Sequence, residues 1–125
     1  MAKIMLVDDD VDLILQNKLL IEKKGHQVIM ANSGQEALLA LKTNTPDLIV
    51  LDVMMEHSTA GFVFARELGQ SHPGLPIILQ SGDPEKPNWM GEPMATWNPI
   101  RAILEKPVKP DVLLATIDKE LAAKR

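Results

Sequence analysis

Short apolar runs alternate with longer amphipathic stretches along this chain. Lys3 to Val7 reads as a buried strand that ends in the acidic run Asp8-Asp9-Asp10. From about Val11 to Lys24 the apolar positions change to helical spacing, with Leu13, Leu20 and their neighbours on one side. Asp10 is the expected N-cap, and Gly25 follows the end where a terminating glycine belongs. His26 to Ala31 predicts a second strand. Asn32 or Ser33 caps a helix from Gly34 to about Lys42, and Pro46 then punctuates the chain. Asp47 to Asp52 is the third strand, with the unbroken apolar centre Leu48-Ile49-Val50-Leu51 expected when both faces are covered. A helix follows from about Gly61 to Ser71. Leu75 to Ser81 and Ala102 to Lys106 are the fourth and fifth strands. The last helix, Asp111 to Ala123, carries Leu114, Ile117 and Leu121 on one face.

Strands alternating with helices predict right-handed parallel crossovers and a doubly wound α/β sheet. In such sheets ligands sit beyond the carboxyl ends of the strands. Asp8 and Asp9 close the first strand, Asp52 the third, Ser81 the fourth and Lys106 the fifth. Each has a bland explanation: Asp caps helices, Ser starts turns, and Lys is usually solvated. That all of them fall at carboxyl strand ends outweighs those separate explanations. One region breaks the pattern. Gly82 to Pro99 holds prolines at 84, 87, 93 and 99, and proline inside a helix costs about 3 kcal/mol. A regular helix is not expected there, beyond one short turn starting near Pro93.

Composition narrows the class without changing this picture. The 125 residues predict one domain over 1–125, and 46% hydrophobic with 24% charged residues is ordinary for a globular fold. The net charge of −4, with no Lys/Arg cluster larger than pairs such as Lys23-Lys24, argues against a nucleic-acid partner. Cysteine is absent from the sequence, so disulfides and thiolate metal sites are excluded. The N-terminal residues lack a signal-peptide pattern, and no apolar run reaches the roughly 18 residues of a membrane helix. A cytoplasmic domain with no membrane role is the expectation. The three histidines, His26, His57 and His72, lack metal-ligand spacing. Trp89, Met90, Met94 and Trp97 sit in the proline-rich region, expected to cover core or to meet a partner.

The chemistry lies in the acidic edge. Asp8, Asp9 and Asp52 repel one another unless a cation sits among them, and their hard oxygens suit Mg²⁺, which takes one or two carboxylates plus waters and phosphate oxygens. A carboxylate beside such an ion can attack phosphorus and become an aspartyl phosphate. Catalysis is then mostly positioning and charge neutralisation. Lys106 would pair with one phosphoryl oxygen and the Ser81 hydroxyl would hydrogen-bond another.

Four segments carry a specific resemblance: Leu-Val-Asp8-Asp9-Asp10, Leu-Asp52-Val-Met-Met, Ile-Leu-Gln-Ser81-Gly and Glu-Lys106-Pro107. In this order, and with the separations of Asp9, Asp52 and Ser81 close to the family's, they resemble the signature segments of bacterial response regulator receiver domains, across nearly the whole chain. The resemblance implies a flavodoxin-like receiver fold with a five-stranded parallel sheet in the order 2-1-3-4-5. It implies that Asp52 is the phosphorylation site, and that Asp9, Asp52 and the backbone carbonyl of Met54 ligate Mg²⁺. Asp8 would hold a metal-bound water, and Ser81 and Lys106 would contact the phosphoryl group. The implied partners are a histidine kinase or phosphotransfer protein and an unknown output partner or domain. The chain ends soon after its last helix, so it is expected to carry no output domain, as a single-domain regulator or a receiver from a longer protein. Such a domain is not an enzyme beyond its own phosphorylation and dephosphorylation.

The departures from the family pattern concern output. Glu56 stands where the family usually has a proline, and Ile103 replaces its aromatic switch residue. The stretch between Ser81 and Lys106 is longer than usual, and its prolines leave an irregular or shortened fourth helix. Gly82 to Pro99, tied to Ser81, is expected to be irregular and to act as the switch element. Two rival functions stand beside the receiver. One is a pseudo-receiver, an interaction module that keeps the fold without switching by phosphorylation; Ile103 and the broken fourth helix favour it and the intact acidic pocket disfavours it. The other is a metal-dependent phosphatase, which would need an acid-base residue where Met54 stands.

Overall fold

The computed structural model describes residues 2–52, 67, 71–72, 74–81, 100–105 and 108–123. The chain runs through β1 (Lys3–Val7), α1 (Val11–Lys23), β2 (Gln27–Ala31), α2 (Gly34–Leu41), β3 (Leu48–Asp52), β4 (Ile77–Ser81), β5 (Ile100–Glu105) and a C-terminal helix, here α3 (Pro110–Ala123). The strands form one five-stranded sheet in the order β2-β1-β3-β4-β5, with every pairing parallel. This is the expected doubly wound order, and it puts the reversal of strand order between β1 and β3. There the ends of both strands are free of a crossover, so a ligand site can form.

Local signals start and stop the helices. The Asp10 carboxylate accepts the Leu13 N–H at 3.1 Å and caps α1. Gly25, just past the C-cap Lys24, takes a φ of 90°, which glycine adopts without a Cβ clash. Of the two candidate caps for α2, Ser33 is used. Its Oγ accepts the Glu36 N–H at 3.1 Å, while Glu36 reaches back to the Asn32 N–H at 3.3 Å.

Alternation along the strands divides the core into two layers. Met5, Val7, Ile49, Leu51, Ile77 and Leu79 face α2 through Ala37. Ile4, Leu6, Leu48, Val50 and Ile78 face α1 and α3 through Ile14, Ile21, Leu113 and Ile117. All five residues of β3 are buried, as its continuous apolar run requires. Each such side chain contributes about 1.5–3 kcal/mol by leaving water. On α1 the fully buried positions are Ile14 and Ile21, one register step from Leu13 and Leu20, which are half-buried. On α3, Ile117 is buried as expected, joined by Leu113, with Leu114 and Leu121 packed beside them.

Several boundaries differ from the sequence expectation. β2 starts at Gln27 rather than His26, whose ring Nδ1 accepts the Ala2 N–H at 3.1 Å. β4 starts at Ile77 because Pro76 has no N–H for the ladder, although its carbonyl accepts the Ile49 N–H at 3.1 Å. β5 starts at Ile100, before the expected Ala102, and the pairing with β4 shifts register between Ile77 and Ile78. Of the helix expected over 61–71, Glu67 and Ser71 are described and helical, joined by a bond from Ser71 Oγ to the Glu67 carbonyl at 3.0 Å. Met54, Glu56, His57, Lys106, Pro107 and the stretch from Gly82 to Pro99, with its Trp and Met residues, lie outside the described residues.

Candidate functional site

Strand direction builds this site. β1 and β3 run parallel, with Val7 paired to Leu51, so the next residues, Asp8 just past β1 and Asp52 at the end of β3, stand side by side at the carboxyl edge of the sheet. Asp8 shares its strand face with Leu6, and Asp52 shares its own with Val50. Both therefore continue the face that α1 and α3 cover. Asp9 follows in the turn to α1 and is exposed.

Carboxylate oxygens of Asp8, Asp9 and Asp52, one from each, lie within 4.8 Å of one another. Asp8 and Asp52 are only 4% and 3% exposed. Two unit charges at that distance repel by about 3–4 kcal/mol at an effective dielectric of 20. Hydrogen bonds hold Asp8 in place. Its Oδ1 accepts the Asp10 N–H at 3.0 Å, its backbone N–H donates to the Ala31 carbonyl at 3.1 Å, and its carbonyl accepts from Asn32 Nδ2 at 3.4 Å. The turn that caps α1 thus also fixes the first carboxylate.

Such a donor set fits a hard divalent cation. Three oxygens sit close enough to share one ion, two on buried side chains and the third, Asp9, exposed on the rim. Few ligands and an exposed side match Mg²⁺, which keeps several of its waters. Among the described residues this is the group of three acidic or histidine side chains placed to hold a metal.

The remaining site residues are placed to different degrees. Ser81 is the last residue of β4 and pairs with Glu105, the last of β5, so its backbone stands at the same carboxyl edge. Lys106 and Met54 lie outside the described residues. Sequence reasoning passes over one residue of this edge. Gln80, only 3% exposed, pairs directly with Asp52. The signal for it is a polar residue ending the otherwise apolar run Ile77-Ile78-Leu79.

With that geometry in view, the comparisons with known proteins agree. The family model for the response regulator receiver domain matches residues 4–118. Protein PilH of Pseudomonas aeruginosa is 30% identical over 125 residues, covering 98% of this chain and 99% of that protein. Transcriptional regulatory protein GlrR of Escherichia coli is 32% identical over 120 residues, covering 96% of this chain, which spans about a quarter of GlrR's length (26%). A CheY-like receiver domain protein from Methanospirillum hungatei superposes with a TM-score of 0.87 at 22% identity, over 99% of this chain and 96% of that one. The receiver domain of NtrX from Brucella abortus does so at 0.81 and 27% identity, over 95% and 98%. The chain therefore belongs to the response regulator receiver domains of two-component signalling systems.

Proposed function

We propose that this chain accepts a phosphoryl group on Asp52 from a histidine kinase or phosphotransfer protein, and that the change switches an output partner or domain. The observation that carries this reading is the convergence of Asp8, Asp9 and Asp52 at the carboxyl edge, with Asp52 buried between two strands. Asp9 and Asp52 would hold Mg²⁺ with the Met54 carbonyl, and Asp8 would hold one of its waters. When bound, Mg²⁺ neutralises charge on the carboxylates and on an incoming phosphoryl oxygen. Asp52 contributes the nucleophilic oxygen: a new bond forms from its carboxylate to phosphorus, and the bond from phosphorus to the donor's imidazole nitrogen breaks. Burial on the α1 and α3 face limits the directions from which phosphorus can approach Asp52. Lys106 and Ser81 would each take a further phosphoryl oxygen, in charge-assisted or hydroxyl hydrogen bonds of about 1.5–3 kcal/mol at most. Among the described residues no helix is long and apolar enough to cross a membrane.

Incubation with acetyl phosphate and Mg²⁺, read by intact mass, tests this. One added phosphoryl group is expected, and none in Asp52→Asn, because an amide is no nucleophile toward phosphorus. Labelling that persists in Asp52→Asn moves the site elsewhere.

A second reading, the pseudo-receiver, is favoured by two features of the sequence, the prolines that break the fourth helix and Ile103. Ile103, inside β5, stands where the family places its aromatic reporter. In the switching reading, Gly82 to Pro99 takes over that role, since it continues directly from Ser81. Tryptophan fluorescence from Trp89 and Trp97 is then expected to change when beryllofluoride and Mg²⁺ are added. An unchanged spectrum with the pocket filled favours the pseudo-receiver.

A further inference from the structure

The sheet holds a polar side chain that packing does not explain. Gln80 is 3% exposed and lies within β4, flanked in register by Asp52 on one side and Leu104 on the other. Strand alternation puts it on the face of Ile78, which packs with Ile14, Ile21, Leu113 and Ile117. A leucine or methionine would extend that layer. Moreover, no side-chain hydrogen bond of Gln80 falls within the described residues. A buried amide that meets neither water nor a partner destabilises the fold, so buried polar groups normally have partners. Neighbouring strands are about 4.8 Å apart, which sets the Gln80 amide within a side chain's reach of the Asp52 carboxylate and whatever gathers on it.

Resting on the reading of Asp52 as a phosphoacceptor, we infer that Gln80 is a positioning residue of the acidic pocket. Its buried amide N–H donates to an oxygen present only when the pocket is filled. That oxygen is a water on the bound cation or a phosphoryl oxygen on Asp52. The amide suits this task because it carries no charge. A lysine there would compete with the cation for the carboxylates, and a glutamate would add to the repulsion among Asp8, Asp9 and Asp52. The arrangement also has an energetic signature. Among the described residues no side chain offsets the buried Gln80 amide, so removing it should weaken binding without loss of stability.

The test compares the full chain with Gln80→Met, which keeps the length of the side chain and removes its amide. Three quantities are read: thermal stability without metal, affinity for Mg²⁺ alone by calorimetry, and affinity for beryllofluoride in saturating Mg²⁺. Gln80→Met is expected to melt at the wild-type temperature or a few degrees above it. It is expected to bind at least one of the two probes about fivefold more weakly. Weakening with Mg²⁺ alone identifies a cation-bound water as the acceptor; weakening only with beryllofluoride identifies the phosphoryl position. Unchanged affinity in both arms overturns the inference, with or without a change in stability. Should Gln80→Met fail to fold, Gln80→Asn, which withdraws the amide by one methylene, is read in the same arms. Its weakened binding supports the inference and its wild-type binding overturns it. A wild-type protein that binds neither probe overturns the phosphoacceptor reading as well, whereas equal binding by wild type and variant overturns the role of Gln80 alone.

Discussion

At the amino end of the sheet, an Asp47 oxygen accepts the Lys3 backbone N–H at 2.8 Å, and the His26 ring accepts the Ala2 N–H at 3.1 Å, with its other nitrogen 3.9 Å from Asp118 on α3. At the carboxyl end, Asp8, Asp9 and Asp52 bring carboxylate oxygens within 4.8 Å of one another. Asp47 and Asp52 sit at the two ends of the same stretch of chain, just before and at the close of β3. The first ties down a strand entry by meeting a backbone donor. The second meets like charges. In a parallel sheet all strands point the same way, so residues that close strands gather on one edge and residues that open them on the other, where Asp47 meets a backbone donor. Residue type alone does not separate structural from functional aspartates here; the position relative to strand direction does.

Substitutions at the two ends should therefore separate cleanly. The largest effect is expected for Asp9→Ala, which should weaken Mg²⁺ binding at least tenfold by calorimetry. Its thermal stability without metal should hold or rise, since one member of a repelling cluster is gone. A large loss of stability would make Asp9 a structural residue and erase the distinction. A smaller effect, of the opposite kind, is expected for Asp47→Ala. Loss of its bond to the Lys3 N–H should cost about 1–2 kcal/mol in denaturant unfolding, while Mg²⁺ affinity stays at the wild-type value. Metal affinity that falls with Asp47→Ala would mean that the two ends are coupled through β3. The smallest effect is expected away from both ends. Lys18 pairs with Glu22 at 3.1 Å on the outer surface of α1, and Lys18→Ala should cost about 0.3–0.5 kcal/mol without touching metal affinity. It sets the background against which the other two are judged.

Much of this architecture was legible in the sequence. The parallel sheet follows from the alternation of elements, its strand order from the family resemblance, and the site edge from where Asp8, Asp9 and Asp52 fall at strand ends. The cap at Asp10, the start of α2 at Asn32 or Ser33 and the glycine at 25 were legible because their signals are local, and the structure chose Ser33. What was not legible depends on partners distant in sequence. On α1, Leu13-Ile14-Leu15 and Leu19-Leu20-Ile21 each offer adjacent apolar residues for a single inward slot, and only the packed sheet selects Ile14 and Ile21. The early start of β5 at Ile100 is set by its pairing with Ile77, a contact that no local pattern announces. Gln80 went unread for the same reason. Its meaning comes from standing opposite Asp52, and register across a parallel sheet cannot be taken from either strand alone.

The central claim is that the crowded end of the sheet is a phosphoacceptor and that Asp52 is its nucleophile. The most direct measurement labels the protein with acetyl phosphate and Mg²⁺, reduces the acyl phosphate with borohydride to convert the modified aspartate to homoserine, and maps the product by peptide mass spectrometry. The account predicts homoserine at position 52 and unmodified aspartate at positions 8, 9 and 47. Homoserine at position 8 or 9, or a stable label on another side chain with position 52 intact, would contradict it.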